Sequence, residues 1–202
     1  MTTTISRLYA SYHDASRALT DLRAAGIPHD DISIVAHDSE GRAKARELEP
    51  AETGTAAGTG AGIGGMLGGG AGLLAGLGIM AIPGLGPVVA AGWLAATAAG
   101  AATGAAAGGI IGALTGSGVS EDEAHVYAES VRRGGAVVSV RVEESRVAEA
   151  TRILDRYTPV DSSSRAQAYR DSGWTRFDEA GKPYSAEQAA RERAIYERRP
   201  MV

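Results

Sequence analysis

The chain has no cysteine, so disulfides, thiolate zinc sites and a cysteine nucleophile are excluded, and a reducing compartment is open to it. From Thr53 to Ser120 it has no charged residue either. A neutral block of that length points to association, with lipid or with copies of the same chain, as the expected role. The amino terminus, Met1 to Arg7, lacks the basic n-region and apolar h-region of a secretory signal, and both flanks of the block are read as cytoplasmic. No flank has a strong basic excess. Met1–Glu52 carries net −3, Glu121–Val160 net −2 and Asp161–Val202 net +1, which speaks against a nucleic-acid grip.

What the neutral block does have is glycine, 22 of the chain's 28 residues of that type. Two runs recur at every fourth position: Gly60, Gly64, Gly68, Gly72 and Gly76, then Gly100, Gly104, Gly108, Gly112 and Gly116. At this glycine density only about a quarter of one such run is expected by chance. Residues four apart share a helix face, and glycine there lets two backbones approach closely, so these ten are the candidate helix-packing residues.

The spacing predicts two long helices, about Ala56 to Met80 and about Val88 to Ser117, broken by Pro83, Gly84, Gly86 and Pro87 at a hairpin turn. Such arms would be roughly 37 and 45 Å long, enough to cross a hydrocarbon layer of about 30 Å. Interior glycine costs a helix about 1 kcal/mol relative to alanine. Ten of them require lipid or tight contact with further helices as an offset. The second arm is nearly all Ala, Gly and Thr from Ala95 to Gly109, a weak drive for insertion, whereas the first carries Ile63, Met66, Leu67, Leu73, Leu74, Leu77, Ile79 and Met80, and Trp93 is placed for an interface. Each fourth residue is displaced by about 40° around the helix, so five glycines wind through about 160° and fit several neighbours better than one seam. The expected partners are therefore the chain itself and membrane lipid. Arg42, Lys44 and Arg46 before the block and Arg132 and Arg133 after it would both flank an inserted hairpin on its cytoplasmic side.

The flanks read as regular structure. Ile5 to Ala10 is predicted as a strand, His13 to Ala25 as a helix with Ala15, Ala18, Leu19, Leu22 and Ala25 inside, and Asp31 to Ala36 as a second strand. Ser120-Glu121-Asp122-Glu123 has capping-box spacing at the start of a helix ending near Arg132-Arg133-Gly134-Gly135. Ala136 to Val142 is the clearest strand, with Val138, Val140 and Val142 on one face, and a helix follows from about Glu144 to Tyr157. The expected class is α+β: a small three-stranded, partly ferredoxin-like sandwich split between 1–52 and 119–160, interrupted by the glycine-zipper helical hairpin at 53–118. Residues 161–202 form a polar tail. There Ser162 to Ser164 read as a linker, Ser185 to Gln188 cap a short helix, and Trp174, Phe177 and Tyr184 are candidate anchors to a groove on the same domain or on a neighbour.

Site chemistry is sparse. Gly60 to Gly65 matches GxGxxG, but no strand leads into it and no acidic residue follows about 20 positions on to hold a ribose. His13, His29, His37 and His125 have no metal-ligand spacing, and His37 with Asp38 and Glu40 reads more simply as a polar turn than as a base and its orienter. Arg132-Arg133 and Arg198-Arg199 read as helix-end charges. No catalytic residue, cofactor, metal or small-molecule substrate is assigned.

The order Gly26-Ile27-Pro28-His29-Asp30-Asp31-Ile32-Ser33-Ile34-Val35, then a glycine-rich hairpin around Gly84 to Gly92, then Arg132 to Val140, resembles the bacterial general stress protein 17M-like (heat-induced stress protein) family over roughly Ile5 to Tyr157. That resemblance implies a bacterial stress-associated protein without a defined catalytic site. The expected function is a non-enzymatic stress protein that self-assembles through its hairpins at the inner membrane or another lipid surface. A soluble cytoplasmic assembly and an adaptor that binds partners through the aromatic tail are the alternatives.

Overall fold

The computed structural model describes residues 2–38, 78–82, 85–94, 96–97, 109–182 and 184–197. Among them are strands β1 (Thr2–Tyr9), β2 (Ile32–His37), β3 (Gly78–Ile82), β4 (Gly86–Ala91) and β5 (Ala136–Glu143). The helices are α1 (Tyr12–Ala24), α2 (Gly109–Thr115), α3 (Glu121–Arg132), α4 (Val147–Asp155), α5 (Ser162–Asp171) and α6 (Ala186–Glu197). The strands form one sheet in the order β1-β5-β2-β4-β3, every neighbouring pair antiparallel. Since β1 and β2 are both antiparallel to β5, they run parallel to each other on either side of it, with α1 as the crossover.

Local chemistry accounts for the helices. Ser11 Oγ accepts the Asp14 amide at 3.2 Å and starts α1, whose Ala15, Ala18, Leu19 and Leu22 are buried. The α3 box forms only in part. Ser120 Oγ accepts the Glu123 amide at 3.4 Å, but the Glu123 carboxylate turns away to the Tyr127 hydroxyl at 2.7 Å and the Ser162 hydroxyl at 3.0 Å, tying α3 to α5. In α6 the box is complete: Ser185 Oγ accepts the Gln188 amide at 3.2 Å and Gln188 Oε1 accepts the Ser185 amide at 2.9 Å.

The alternation along β5 divides the core. Ala136, Val138, Val140 and Val142 join α1 and α4 on one face, while Val137 joins α2 and α3 on the other. Large side chains such as Leu8, Leu22, Ile34 and Leu154 are almost fully buried, each contributing about 1.5–3 kcal/mol. Every residue of α3 from Ala124 to Val131 is buried, because the sheet covers one side of the helix and the chain after Asp161 covers another.

The structure corrects three expectations. Among the described residues the sheet has five strands, not three, and the extra two come from the neutral block. Gly78–Met80 and Val88–Ala91, assigned to the two helical arms, are strand instead, as are Ala81, Ile82, Gly86 and Pro87, assigned to the break between them; the two strands pair from Gly78↔Ala90 to Ile82↔Gly86. Within the described residues the second arm is helical at Trp93, Leu94, Ala96 and Thr97 and over Gly109–Thr115. The physical reason is the free edge of β2. Short apolar runs on either side of a turn carry no helical period, and β2 offers β4 a ladder from Ile34↔Ala91 to His37↔Val88 that satisfies backbone groups of both strands. The block therefore continues the sandwich in this region and does not stand apart from it. Third, Ser162 to Ser164 open α5 and are not a linker. The Asp161 carboxylate accepts the Ser164 amide at 2.7 Å, and the hydroxyl of Ser163 with that amide holds its pKa below the usual carboxylate range.

Ser33 clasps the block to β2. This fully buried hydroxyl donates to the Ala91 carbonyl at 2.8 Å and accepts the Leu94 amide at 3.2 Å. Ser33→Ala leaves that buried amide without its partner and is expected to lower stability by about 1–3 kcal/mol. Equilibrium denaturation checks this, and a loss under about 0.5 kcal/mol contradicts the clasp.

Candidate functional site

The densest polar constellation lies at the carboxyl end of α3. Glu129 is completely buried, and its carboxylate meets Arg132 Nη2 at 2.7 Å and Arg133 Nε. Arg133 also pairs with Glu192 of α6, so two acids neutralise two guanidinium groups. Burial opposes the Arg133 charge, but the hydrogen bond and charge of Glu129, with the hydrogen bond to Glu192, outweigh it and push its pKa up. Around these charges stand the aromatic residues of the tail. The Arg133 guanidinium lies 4.4 Å from the Tyr169 ring centroid, and Arg132 lies 5.9 Å from Phe177 and 5.4 Å from Tyr184. Tyr169 donates to Ser130 Oγ at 3.0 Å and meets the Trp174 ring edge-on at 5.7 Å.

The chain from Asp161 to Glu197 thus straps the sandwich. Phe177, 4% exposed, sits in the cluster that contains Leu85 and Val88 of the block, Ile110 and Leu114 of α2, and Val131 of α3. Ala189 of α6 packs on Gly134, where an added Cβ would lie 3.0 Å from the Ala189 methyl at a φ of +103°. The Tyr184 carbonyl lies 3.2 Å from His37 Nε2 at the end of β2. Farther along α3, Arg176 Nη2 stands 2.9 Å from His125 Nε2. Two open clefts flank His125. One, of about 480 Å³, is lined by Ile111, Phe177 and Glu179, and the other, of about 250 Å³, by Glu121, Arg170, Trp174 and Thr175.

The three tail anchors are brought together on the chain's own domain. Phe177 is core, Trp174 closes on Tyr169, and Tyr184 lies over Arg132 and Arg133. Of the candidate glycines, Gly112 lies in α2 and Gly116 just beyond it. Gly60, Gly64, Gly68, Gly72, Gly76, Gly100, Gly104 and Gly108 lie outside the described residues, as do Pro83, Gly84 and the GxGxxG match. Gly86 and Pro87 begin β4, with Pro87 opposite Ala81. His37 and Asp38 do not join His125 in either of its clefts. Among the described residues no three His, Asp or Glu side chains are placed to hold a metal ion. Burial, the main cause, pushes the hydroxyl pKa values of Tyr9 and Tyr127 far up, so both serve as neutral hydrogen-bond donors, Tyr9 to the Leu154 carbonyl at 3.0 Å.

The Glu129 cluster is not singled out by any sequence motif. Its trace was present, since Glu129 stands three and four residues before the arginine pair and shares the helix with an apolar stripe, but helix-end charge explained the same letters.

The β1-α1-β2 unit with its glycine-rich continuation into β3 is the part of this fold that compares with known proteins. Residues 4–83 match the heat induced stress protein YflT domain. The general stress protein family expected from the motifs is supported by that match, and with it a stress-associated role. The YflT match ends before β4 and does not reach β5, yet among the described residues β5 is the strand that joins β1 to β2. The matched YflT stretch thus builds its sheet with strands from later in the chain. No curated protein and no solved structure matches the chain. No helix among the described residues is long and apolar enough to cross a membrane.

Proposed function

We propose that this is a non-enzymatic stress-associated protein whose copies assemble through the uncharged, glycine-dense block. The observation that carries the reading is the way the block is mounted. Its β3 and β4 extend the sheet from β2, and its α2 shares a core with α3, so the described parts of the block are built into a packed body. Anchoring parts of the block in a packed body lowers the ordering cost of association through it relative to a free hairpin. The burial of Phe177, and the closure of Trp174 and Tyr184 on their own domain, weigh against an adaptor that needs these three side chains free. A lipid surface remains the second reading, favoured by the absence of charge from Thr53 to Ser120.

The test is the mass of the full chain by sedimentation without detergent, repeated with vesicles of anionic and neutral lipid. A multimer without lipid is expected. Gly68→Leu combined with Gly108→Leu should weaken its association at least about tenfold, or about 1.4 kcal/mol. A monomer at all concentrations that also ignores vesicles, or a multimer indifferent to both substitutions, defeats the reading. Flotation with vesicles but no multimer in their absence selects the lipid reading.

A further inference from the structure

Of the four histidines, His13 and His29 are exposed, whereas His37 and His125 are buried. Both buried rings meet the strap, one through the Tyr184 carbonyl and the other through Arg176. Their two contacts differ in proton demand. A carbonyl accepts, so His37 Nε2 must carry hydrogen. A guanidinium only donates, so His125 Nε2 must offer its lone pair to Arg176, and the ring is neutral in this arrangement.

We propose that Arg176, His125 and Glu121 form a proton-sensitive latch, which holds the strap over the α2–α3 core when His125 is neutral and loosens it when His125 is protonated. Protonation replaces the lone pair on Nε2 by a second N–H directed at a cation 2.9 Å away. Glu121, one turn earlier on α3, lies 3.7 Å from the same nitrogen and 3.5 Å from Arg176. It is thus placed to exchange its guanidinium partner for the imidazolium. The other charges around the ring are Asp122 and the fully buried Glu129 on α3, and Arg170, Asp178 and Glu179, contributed by the strap. Glu129 is engaged by Arg132 and Arg133, which leaves Glu121 as the carboxylate with the shortest path to His125. Arg176 is the immediate neighbour of Phe177, so losing the Arg176 contact acts directly on the side chain that plugs the core.

The latch sets a direction with pH. Arg176 can donate only to an unprotonated Nε2, so the docked contact is expected to weaken as pH falls. One proton allows at most about a tenfold change in the released-to-docked ratio per pH unit. The Asp161 cap of α5 is also lost on acidification, but at lower pH, because its hydrogen bonds to Ser163 and Ser164 hold that carboxyl below the usual carboxylate range.

Because the chain has no cysteine, a nitroxide pair can be introduced cleanly at two exposed positions, Thr20→Cys on α1 and Arg191→Cys on α6. Their distance distribution, measured in the full chain by pulsed electron resonance, should be narrow near pH 7.5 and gain a broad released population, larger by about tenfold, near pH 5.5. A second pair, Thr20→Cys with the exposed Ala148→Cys on α4, should stay narrow at both pH values, which separates strap release from unfolding of the sandwich. His125→Gln supplies a carbonyl acceptor that does not titrate, and should keep the strap docked near pH 5.5. Equal distributions for the first pair at both pH values overturn the latch. So does a His125→Gln protein that releases its strap as readily as the parent.

Discussion

Replacing Gly92 by alanine is expected to destabilise the protein by about 4 kcal/mol or more and to lower its melting temperature by roughly 10 °C. The residue follows β4 at a φ of +82°, where a side chain already costs about 1–2 kcal/mol. Far more weight lies in the neighbours: a Cβ there would stand 2.2 Å from the Ile32 carbonyl oxygen and 2.8 Å from Ser33 Cα. Both are backbone atoms of β2, so neither can swing aside as a flexible side chain would. Relief requires β2 and the β4 end to separate, and that breaks the Ser33 contacts to Ala91 and Leu94 as well. Gly26 provides the comparison. Its φ is +80°, but nothing lies within 4 Å of its missing Cβ, so Gly26→Ala should show the backbone cost alone. Equal losses from the two substitutions, by equilibrium denaturation, would refute the close approach between block and sheet.

Removing the Glu129 carboxylate is the second large change. Glu129→Ala leaves Arg132 and Arg133 in a mostly buried site with one acid in place of two, Glu192, which pairs with Arg133. Breaking a buried ion pair from one side costs about 3–5 kcal/mol, more than the pair contributes net, because the remaining charge has been taken out of water. The loss should have a direction in space as well. Arg133 holds Glu192 of α6 and the Tyr169 ring of α5, so amide exchange should rise in α5 and α6 before it rises in α1 and α4. A loss below about 1 kcal/mol, or exchange that rises equally everywhere, would contradict a cluster that ties the strap to α3.

Much of the sandwich is legible in the chain itself. Ser11, Ser120 and Ser185 mark helix starts because a short side-chain oxygen satisfies an amide two or three residues away, a partnership that needs no distant part of the molecule. The apolar stripe of α1 and the alternating valines of β5 likewise announce their buried faces. Even so, the strand order is not local: β5 lies between β1 and β2 although it follows both by about a hundred residues. The Glu129 cluster is harder still to read, because its third and fourth partners, Glu192 and Tyr169, come from a stretch whose docking no nearby residue specifies.

The neutral block shows where the boundary runs. From its letters alone came the absence of charge, the glycine spacing and the break around Pro83 to Pro87, all of which are properties of the chain. Whether Gly78–Ile82 and Gly86–Ala91 are helix or strand was not such a property. Runs of Gly, Ala, Val and Ile this short satisfy either geometry, and the decision fell to the unpaired edge of β2, which supplies hydrogen-bond partners to a strand and none to a helix. The tail followed the same rule: its sequence provided caps and aromatic rings, and the arginine pair, Gly134 and the apolar slot over α2 and α3 determined where they came to rest. Caps and periodic faces are set by neighbours along the chain, whereas edges, slots and buried charges exist only after distant segments have met.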